Sequence, residues 1–326
     1  MSAQFSPDDT RIASGSTDQT TRLWDPHKTE PLRFLEPAHA DFVNSVAFSS
    51  DGRWLCSGSS DRSIKVWELA SVTLYHRLEG HPGTIYSIDV DASRTRIASG
   101  GFDATARLWD LITGECLHVI EGHTNWIWSV RLSPDGTQLA TAGRDPIVKL
   151  WDVKTGRHLC DLGEAQAGYC AVDFSPDGQY VMAGSGDGTI LIWDLATRQL
   201  TQCLDAGEAT ISSIRTKTIQ PGITLMACGS YDGIIRMWHL ETGQPWQTLM
   251  TGHRSRVNTV GFSHSGQQLV SGGCDGTLRL WDVQSGECIR VLRSTAPFKG
   301  MNIASAQGLT AEQRSTLKAF GAVALS

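Results

Sequence analysis

Four histidines of the 326-residue chain, His39, His81, His123 and His253, each stand 28 residues before a tryptophan: Trp67, Trp109, Trp151 and Trp281. Six residues before each of these comes an aspartate (Asp61, Asp103, Asp145, Asp275), and four before that a hydroxyl (Ser57, Ser99, Thr141, Ser271). Histidine, hydroxyl and aspartate are the groups with which hydrolases activate a nucleophile. Here the set recurs four times, whereas an enzyme needs one site. No G-x-S-x-G elbow follows a strand and opens a helix. The run GSGDG at 184–188 lacks the lysine and the following helix of a phosphate loop. The eight cysteines form no CxxC pair, so zinc-ligand spacing is missing. Neither a metal nor a cofactor is expected, and the chain reads as no enzyme.

The elements behind these residues repeat. Trp24, Trp67, Trp109, Trp151, Trp193, Trp238 and Trp281 are spaced by 43, 42, 42, 42, 45 and 43 residues. An aspartate precedes every one by six positions, adding Asp18, Asp187 and Asp232 to the four above. Within residues 126–160 the pattern is strand, turn, strand: WIWSVRL, PDG, TQLATAG, RDP, IVKLWDV, KTG, RHLCDL. Asp-Gly, Thr-Gly and Ser-Gly pairs mark the hairpins, because glycine takes positive φ without steric cost. No segment of 1–293 has a helical period. A four-stranded unit of this length cannot bury both faces alone, and seven of them stacked radially can close a ring.

The formal net charge of −6 argues against nucleic-acid binding, which needs clustered Lys and Arg. No apolar run approaches the ~18 residues of a membrane span. The start, MSAQFSPDDT, has no signal-peptide pattern. Most cysteines sit in apolar runs and read as buried free thiols of a reducing, cytoplasmic compartment.

On these residues the chain resembles the WD40-repeat seven-bladed β-propellers: all-β, four antiparallel strands per blade, over residues 1–293. The resemblance implies that histidine, hydroxyl, aspartate and tryptophan of a blade form a hydrogen-bonded tetrad. Complete tetrads would be His39/Ser57/Asp61/Trp67, His81/Ser99/Asp103/Trp109, His123/Thr141/Asp145/Trp151 and His253/Ser271/Asp275/Trp281. In repeat five Ala165 and Ala183 replace His and hydroxyl, and in repeat six Gly207-Glu208 and Cys228 do. Their joint loss fits a buried network in which a half-satisfied group costs more than none, so blades five and six should be softer.

The resemblance also places recognition on the face carrying the loops between blades and between each blade's second and third strands. Carried over, the rim residues include Phe42, Asn44, Tyr86, Phe102, Trp126, Trp128, Arg144, Tyr231, Arg256 and Asn258. Aromatics concentrate on repeats two to four, and Trp, Tyr and Arg dominate binding hot spots. The expected function is a noncatalytic scaffold or sensor that binds a peptide or partner domain at this rim. The alternatives are a propeller enzyme with a channel-mouth site and a nucleic-acid-binding propeller.

The stretch 294–326 is expected to be a tail with a short helix near 311–320, from the capping pattern of Thr310 and Gln313. Gly300–Ile303 is expected to pair into blade one and close the ring. PFKGMN and GLTAEQRSTLKAFGA resemble the ending of bacterial multidomain proteins in which WD40 arrays follow an NB-ARC/STAND-type module. That resemblance suggests the C-terminal propeller of a larger signalling protein.

Overall fold

The computed structural model describes residues 2–91, 95–163, 167–249 and 252–293. The expected tail, its helix, the pairing of Gly300–Ile303 and the position of Ala165 lie outside the described residues. The rest is seven four-stranded antiparallel sheets, each built from strands consecutive in sequence. The strands innermost to the ring are Ser2–Phe5, Val43–Phe48, Ile85–Val90, Ile127–Leu132, Tyr169–Phe174, Ile211–Gln220 and Val257–Phe262. The strands read from residues 126–160 appear as Ile127–Leu132, Gln138–Gly143, Val148–Asp152 and His158–Leu162.

Each blade buries its faces against the next. Ile85 and Ile88 of blade three pack on Cys56, Ile64 and Val66 of blade two, and the same alternation runs around the ring. The approach is close enough to demand glycine in the second strand. A Cβ on Gly100 would lie 2.6 Å from both Ile127 and Val130, and one on Gly184 would crowd Ile211.

Neighbouring inner strands exchange side-chain hydrogen bonds across each seam. Ser45, Ser87, Ser129 and Ser213 hydroxyls accept the backbone N–H of Ile88, Val130, Val172 and Val260, at 3.1–3.2 Å. Blade five has Ala171 at this position, and Asp173 takes over. Its carboxylate accepts Thr216 N at 2.9 Å and Thr216 Oγ1 at 3.1 Å. The same carboxylate faces Arg131 at 3.7 Å, and Arg131 faces Asp89 at 3.6 Å. Burial raises Asp173 to about 7, against the attraction of Arg131 and with the repulsion of Asp89.

Among the described residues blades seven and one join without exchanging a strand. Ala3, Phe5, Ile12 and Trp24 pack against Val270, Leu278, Leu280 and Leu292. Asp9 accepts the backbone N–H groups of His264 and Ser265, and Arg290 Nη1 donates to Pro26 O at 2.6 Å. The last contact belongs to a peripheral belt in which outer strands reach the next blade's third-to-fourth-strand loop. Gln202 to Leu240 O at 2.9 Å and Gln247 to Gln284 O at 2.6 Å are others.

The histidine sets converge as buried chains. In blade three, Trp109 Nε1 donates to Ser99 Oγ at 2.8 Å, Ser99 lies 2.8 Å from His81 Nε2, and His81 Nδ1 lies 2.9 Å from Asp103. Because the indole can only donate, the hydroxyl proton is free for Nε2, which places the ring proton on Nδ1 facing the carboxylate. Blades four and seven repeat this with His123/Thr141/Asp145/Trp151 and His253/Ser271/Asp275/Trp281. In blade two, His39 meets Ser57 at 2.6 Å and Asp61 at 2.8 Å, but the Trp67 indole N–H is buried without an acceptor. Expected as a tetrad, that set is a triad with Trp67 edge-on to the imidazole at 6.1 Å.

Where the histidine is missing, other side chains fill its place. Blade one keeps Trp24 Nε1 donating to Ser14 Oγ, and its Asp18 pairs with the buried Arg22. In blade six Arg236 pairs with Asp232 at 2.8 Å and lies beside Gly207. In blade five Tyr169 sits edge-on to Trp193 at 6.0 Å, much as the histidines sit against their tryptophans. The joint loss of hydroxyl and histidine is seen in blade six, where Cys228 stands at the hydroxyl's position.

The cysteines depart from expectation. Only Cys56 and Cys228 are fully buried, whereas Cys116, Cys203, Cys274 and Cys288 are exposed. Three of the four lie on outermost strands, whose apolar runs face solvent.

Two outcomes follow from these networks. His81→Ala should cost about 2 kcal/mol, because Ser99 and Asp103 lose a partner while buried. His81→Ala with Ser99→Ala should cost less than the sum of the singles, and urea unfolding of all three proteins reads the coupling. For Asp173 the raised value sets the sign. Its contribution to stability is fully present below about pH 4, the unfolded value, and is lost as pH rises through about 7. Asp173→Asn should therefore match the wild type near pH 4 and exceed it at pH 8 by on the order of 1 kcal/mol in thermal unfolding.

Candidate recognition face

Inner strands start at the loops from the preceding blade, so their first residues and the second-to-third-strand loops share one rim. The rim residues expected from the sequence separate into two groups there. The first group spans blades three and four. Phe102 stacks on Trp126 with ring centroids 4.6 Å apart and planes 29° apart, and Tyr86 lies 6.4 Å from the same indole. The Arg144 guanidinium lies over Trp126 at 5.3 Å. Stacking leaves in-plane N–H groups of a guanidinium available to a carboxylate. Among the described residues no carboxylate lies within ion-pair distance of Arg144.

Local sequence explains this stack. Ile127 and Val130 both reach the blade seam and are buried because the strand's register shifts between Ile127 and Ser129, and Trp126 and Trp128 on either side of Ile127 are left half-buried. Gly83 lets Phe102 lie against the preceding loop, since a Cβ there would sit 3.1 Å from the Phe102 Cβ. Phe102 remains 47% exposed. Beside it opens a cleft of about 390 Å³ lined by Pro82, Gly83, Phe102, Thr124, Asn125 and Trp126. The loop residues Pro82, Thr124 and Asn125 are absent from the expected set. Their signal was their place one or two residues after His81 and His123.

The second group lies on blades six and seven. The Arg256 guanidinium lies over Tyr231 at 5.0 Å. Arg256 Nε and Asn258 Nδ2 approach Cys274 Sγ at 3.1 and 3.2 Å. Burial opposes ionisation of this thiol, but the two donors outweigh it and lower Cys274 below the ordinary thiol range. Burial raises the Tyr231 phenol.

Two expected residues stand apart. Asn44 Nδ2 donates to Ser60 Oγ at 3.0 Å and to Ile85 O at 2.9 Å, so its amide is a clasp between blades two and three. Phe42 is 47% exposed, and its backbone carbonyl holds Ser60 N at 2.8 Å. The Ser-His-Asp sets beneath the rim have the contacts of a hydrolase triad, yet Ser57, Ser99 and Ser271 are 0% exposed. No substrate reaches those hydroxyls. Among the described residues no group of three or more His, Cys, Asp or Glu could hold a metal ion. No helix among them is long and apolar enough to cross a membrane.

Comparison with known families agrees with the geometry. The family model described as the IFT122 first beta-propeller matches residues 42–248, more than half of the chain. The model described as the WD domain, G-beta repeat, matches residues 1–25 and 243–282. No curated protein matches the chain. With seven four-stranded blades and their repeated His, Asp and Trp positions, the chain belongs to the WD40-repeat β-propellers, in the family described by the IFT122 first-propeller model.

Proposed function

We propose that this protein is a noncatalytic recognition propeller that binds a peptide or a partner domain at the rim of blades three and four. Propellers of its family commonly mediate protein–protein interaction. One observation carries the assignment to this rim: the stack Phe102, Trp126 and Arg144 stands at the edge of a cleft with Phe102 exposed. An apolar ring fixed by a neighbour loses little entropy on binding, and a stacked guanidinium is already oriented. The adjoining backbone and the Asn125 amide supply polar anchors, as preformed sites require. The rim of blades five and six carries small residues, Cys170, Gly186, Thr210 and Ser212, with exposed Asp187 and Glu208. Blade six also presents the exposed Tyr231 under Arg256, but among the described residues that ring has no second aromatic stacked on it, as Phe102 is on Trp126. Placement within a scaffold or a signalling protein goes with this reading.

The test is selection of peptides from a displayed library on the wild-type chain, followed by titration against Phe102→Ala/Arg144→Ala. Phe102 is exposed, so the variant should unfold like the wild type. The expected result is a loss of at least about tenfold in affinity, the size of one hot spot. Selected peptides that bind both proteins equally would remove this rim as the site.

A further inference from the structure

Repeat six departs from the others in length. Trp193 and Trp238 are 45 residues apart, against 42 or 43 elsewhere. The added residues lengthen its first hairpin, Ile211–Gln220 and Ile223–Ser230, beyond the six or fewer residues of the other inner strands. The longer strand leans over the neighbouring blade, where Ile219 would lie 2.9 Å from a Cβ on Gly266. Arg215 and Lys217, on this strand before its added end, line the channel mouth opposite the recognition face.

That mouth is a cavity of about 390 Å³, within the range of small-molecule sites. Arg215, Thr216 and Lys217 line one wall, and Phe48, Pro134 and His264 contribute to the others. Lys217 is half-buried, and burial lowers its ammonium below the ordinary range despite the attraction of Asp9. Among the described residues its nitrogen has neither a hydrogen bond nor an ion pair. Arg215 Nη1 donates to the neighbouring Ile214 O at 2.6 Å, and among the described residues no carboxylate lies within ion-pair distance of it.

The carboxylates nearby are engaged elsewhere. Asp9 holds the backbone N–H groups of His264 and Ser265. Asp91 holds those of Thr95 and Arg96. Asp89 and Asp173 flank Arg131 within the channel. Asp91 also lines the cavity and Asp9 attracts Lys217 through space, but among the described residues neither cation is ion-paired, an arrangement that costs free energy until an anion meets their free donors. A guanidinium offers paired donors to a planar or tetrahedral oxyanion, and an ammonium adds a third.

We propose that the channel mouth formed by the lengthened hairpin of blade six binds the oxyanion group of a small molecule, a phosphate or a carboxylate, through Arg215 and Lys217. The site is separate from the recognition rim and does not depend on that reading.

The experiment is isothermal titration of the full chain with inorganic pyrophosphate and, separately, with glutarate, at constant ionic strength. The expected result is saturable binding of at least one probe with one site per chain, and the probe that binds identifies the oxyanion. Lys217→Met and Arg215→Gln should each weaken it about tenfold or more, the usual worth of a charge-assisted hydrogen bond. Arg157→Gln, in an exposed outer loop of blade four, should leave it unchanged. Lys217 makes no internal hydrogen bond, so its variant keeps the test decisive if Arg215→Gln fails to fold. Absence of saturable binding up to about 10 mM of both probes would overturn the proposal. So would equal weakening by Arg157→Gln, which would mean that only net charge matters.

Discussion

A four-stranded sheet that is apolar on both faces can bury them only against other such sheets. Everything else in this molecule accommodates that constraint. Blades must approach closely at their inner ends, so the second strand carries glycine where Ile127, Val130 or Ile211 of the next blade arrives. Each inner strand pairs with its own blade's second strand, so its remaining polar edge must be met by something short. Ser45, Ser87, Ser129 and Ser213 meet it with one hydroxyl each. Between blades five and six the serine is absent and Asp173 meets Thr216, as Asp89 meets Leu132 beside the Ser87 contact between blades three and four, and burial raises both carboxylates.

The buried polar chains obey a second economy. A neutral hydrogen bond contributes about 1 kcal/mol net, whereas a stranded buried group costs about 1–3 kcal/mol. Satisfaction therefore matters more than identity. Four blades use histidine between hydroxyl and aspartate. Blades one and six bring an arginine, four positions after the aspartate, to the same carboxylate. Blade five fills the space with Tyr169. The arginine solution is imperfect, since Arg22 Nε and Arg236 Nη1 find no acceptor. The carboxylates of Asp61 and Asp103 gain more. Burial opposes their ionisation, but histidine and hydroxyl or backbone donors hold both below the ordinary range.

The ring was legible in the sequence because its determinants are local and repeated. A tryptophan every 42 to 45 residues, an aspartate six before it and glycine turns between short apolar runs specify blade number and strand order. The aromatic rim was legible for a related reason, since alternation sets Trp126 and Trp128 against the buried Ile127 between them. What could not be read was compensation. Nothing in the spacing says that Tyr169 would occupy a histidine's place, that Arg236 would swing to Asp232, or that Trp67 would lack an acceptor. Those depend on a few tenths of an ångström between strands distant in sequence. The exposed cysteines were missed because outermost strands carry apolar runs without an apolar neighbour.

Departures from the repeat thus fall into two kinds, and internal satisfaction separates them. Asn44 departs, and both its donated hydrogen bonds end inside the ring, so it is a repair. Arg22, Arg236 and Tyr169 are repairs by the same measure, since each completes a blade that lacks histidine. Phe102 departs and stays exposed, and Arg144 stacks on Trp126 without a carboxylate. Lys217 departs, is partly desolvated, and bonds to nothing within the described chain. A side chain that costs free energy to hold in place, and returns none of it to the described chain, marks where we propose that a partner binds. By that measure the propeller presents two unfinished surfaces. One is apolar with a guanidinium at its edge, on the rim of blades three and four. The other is cationic, at the far mouth of the channel under blade six.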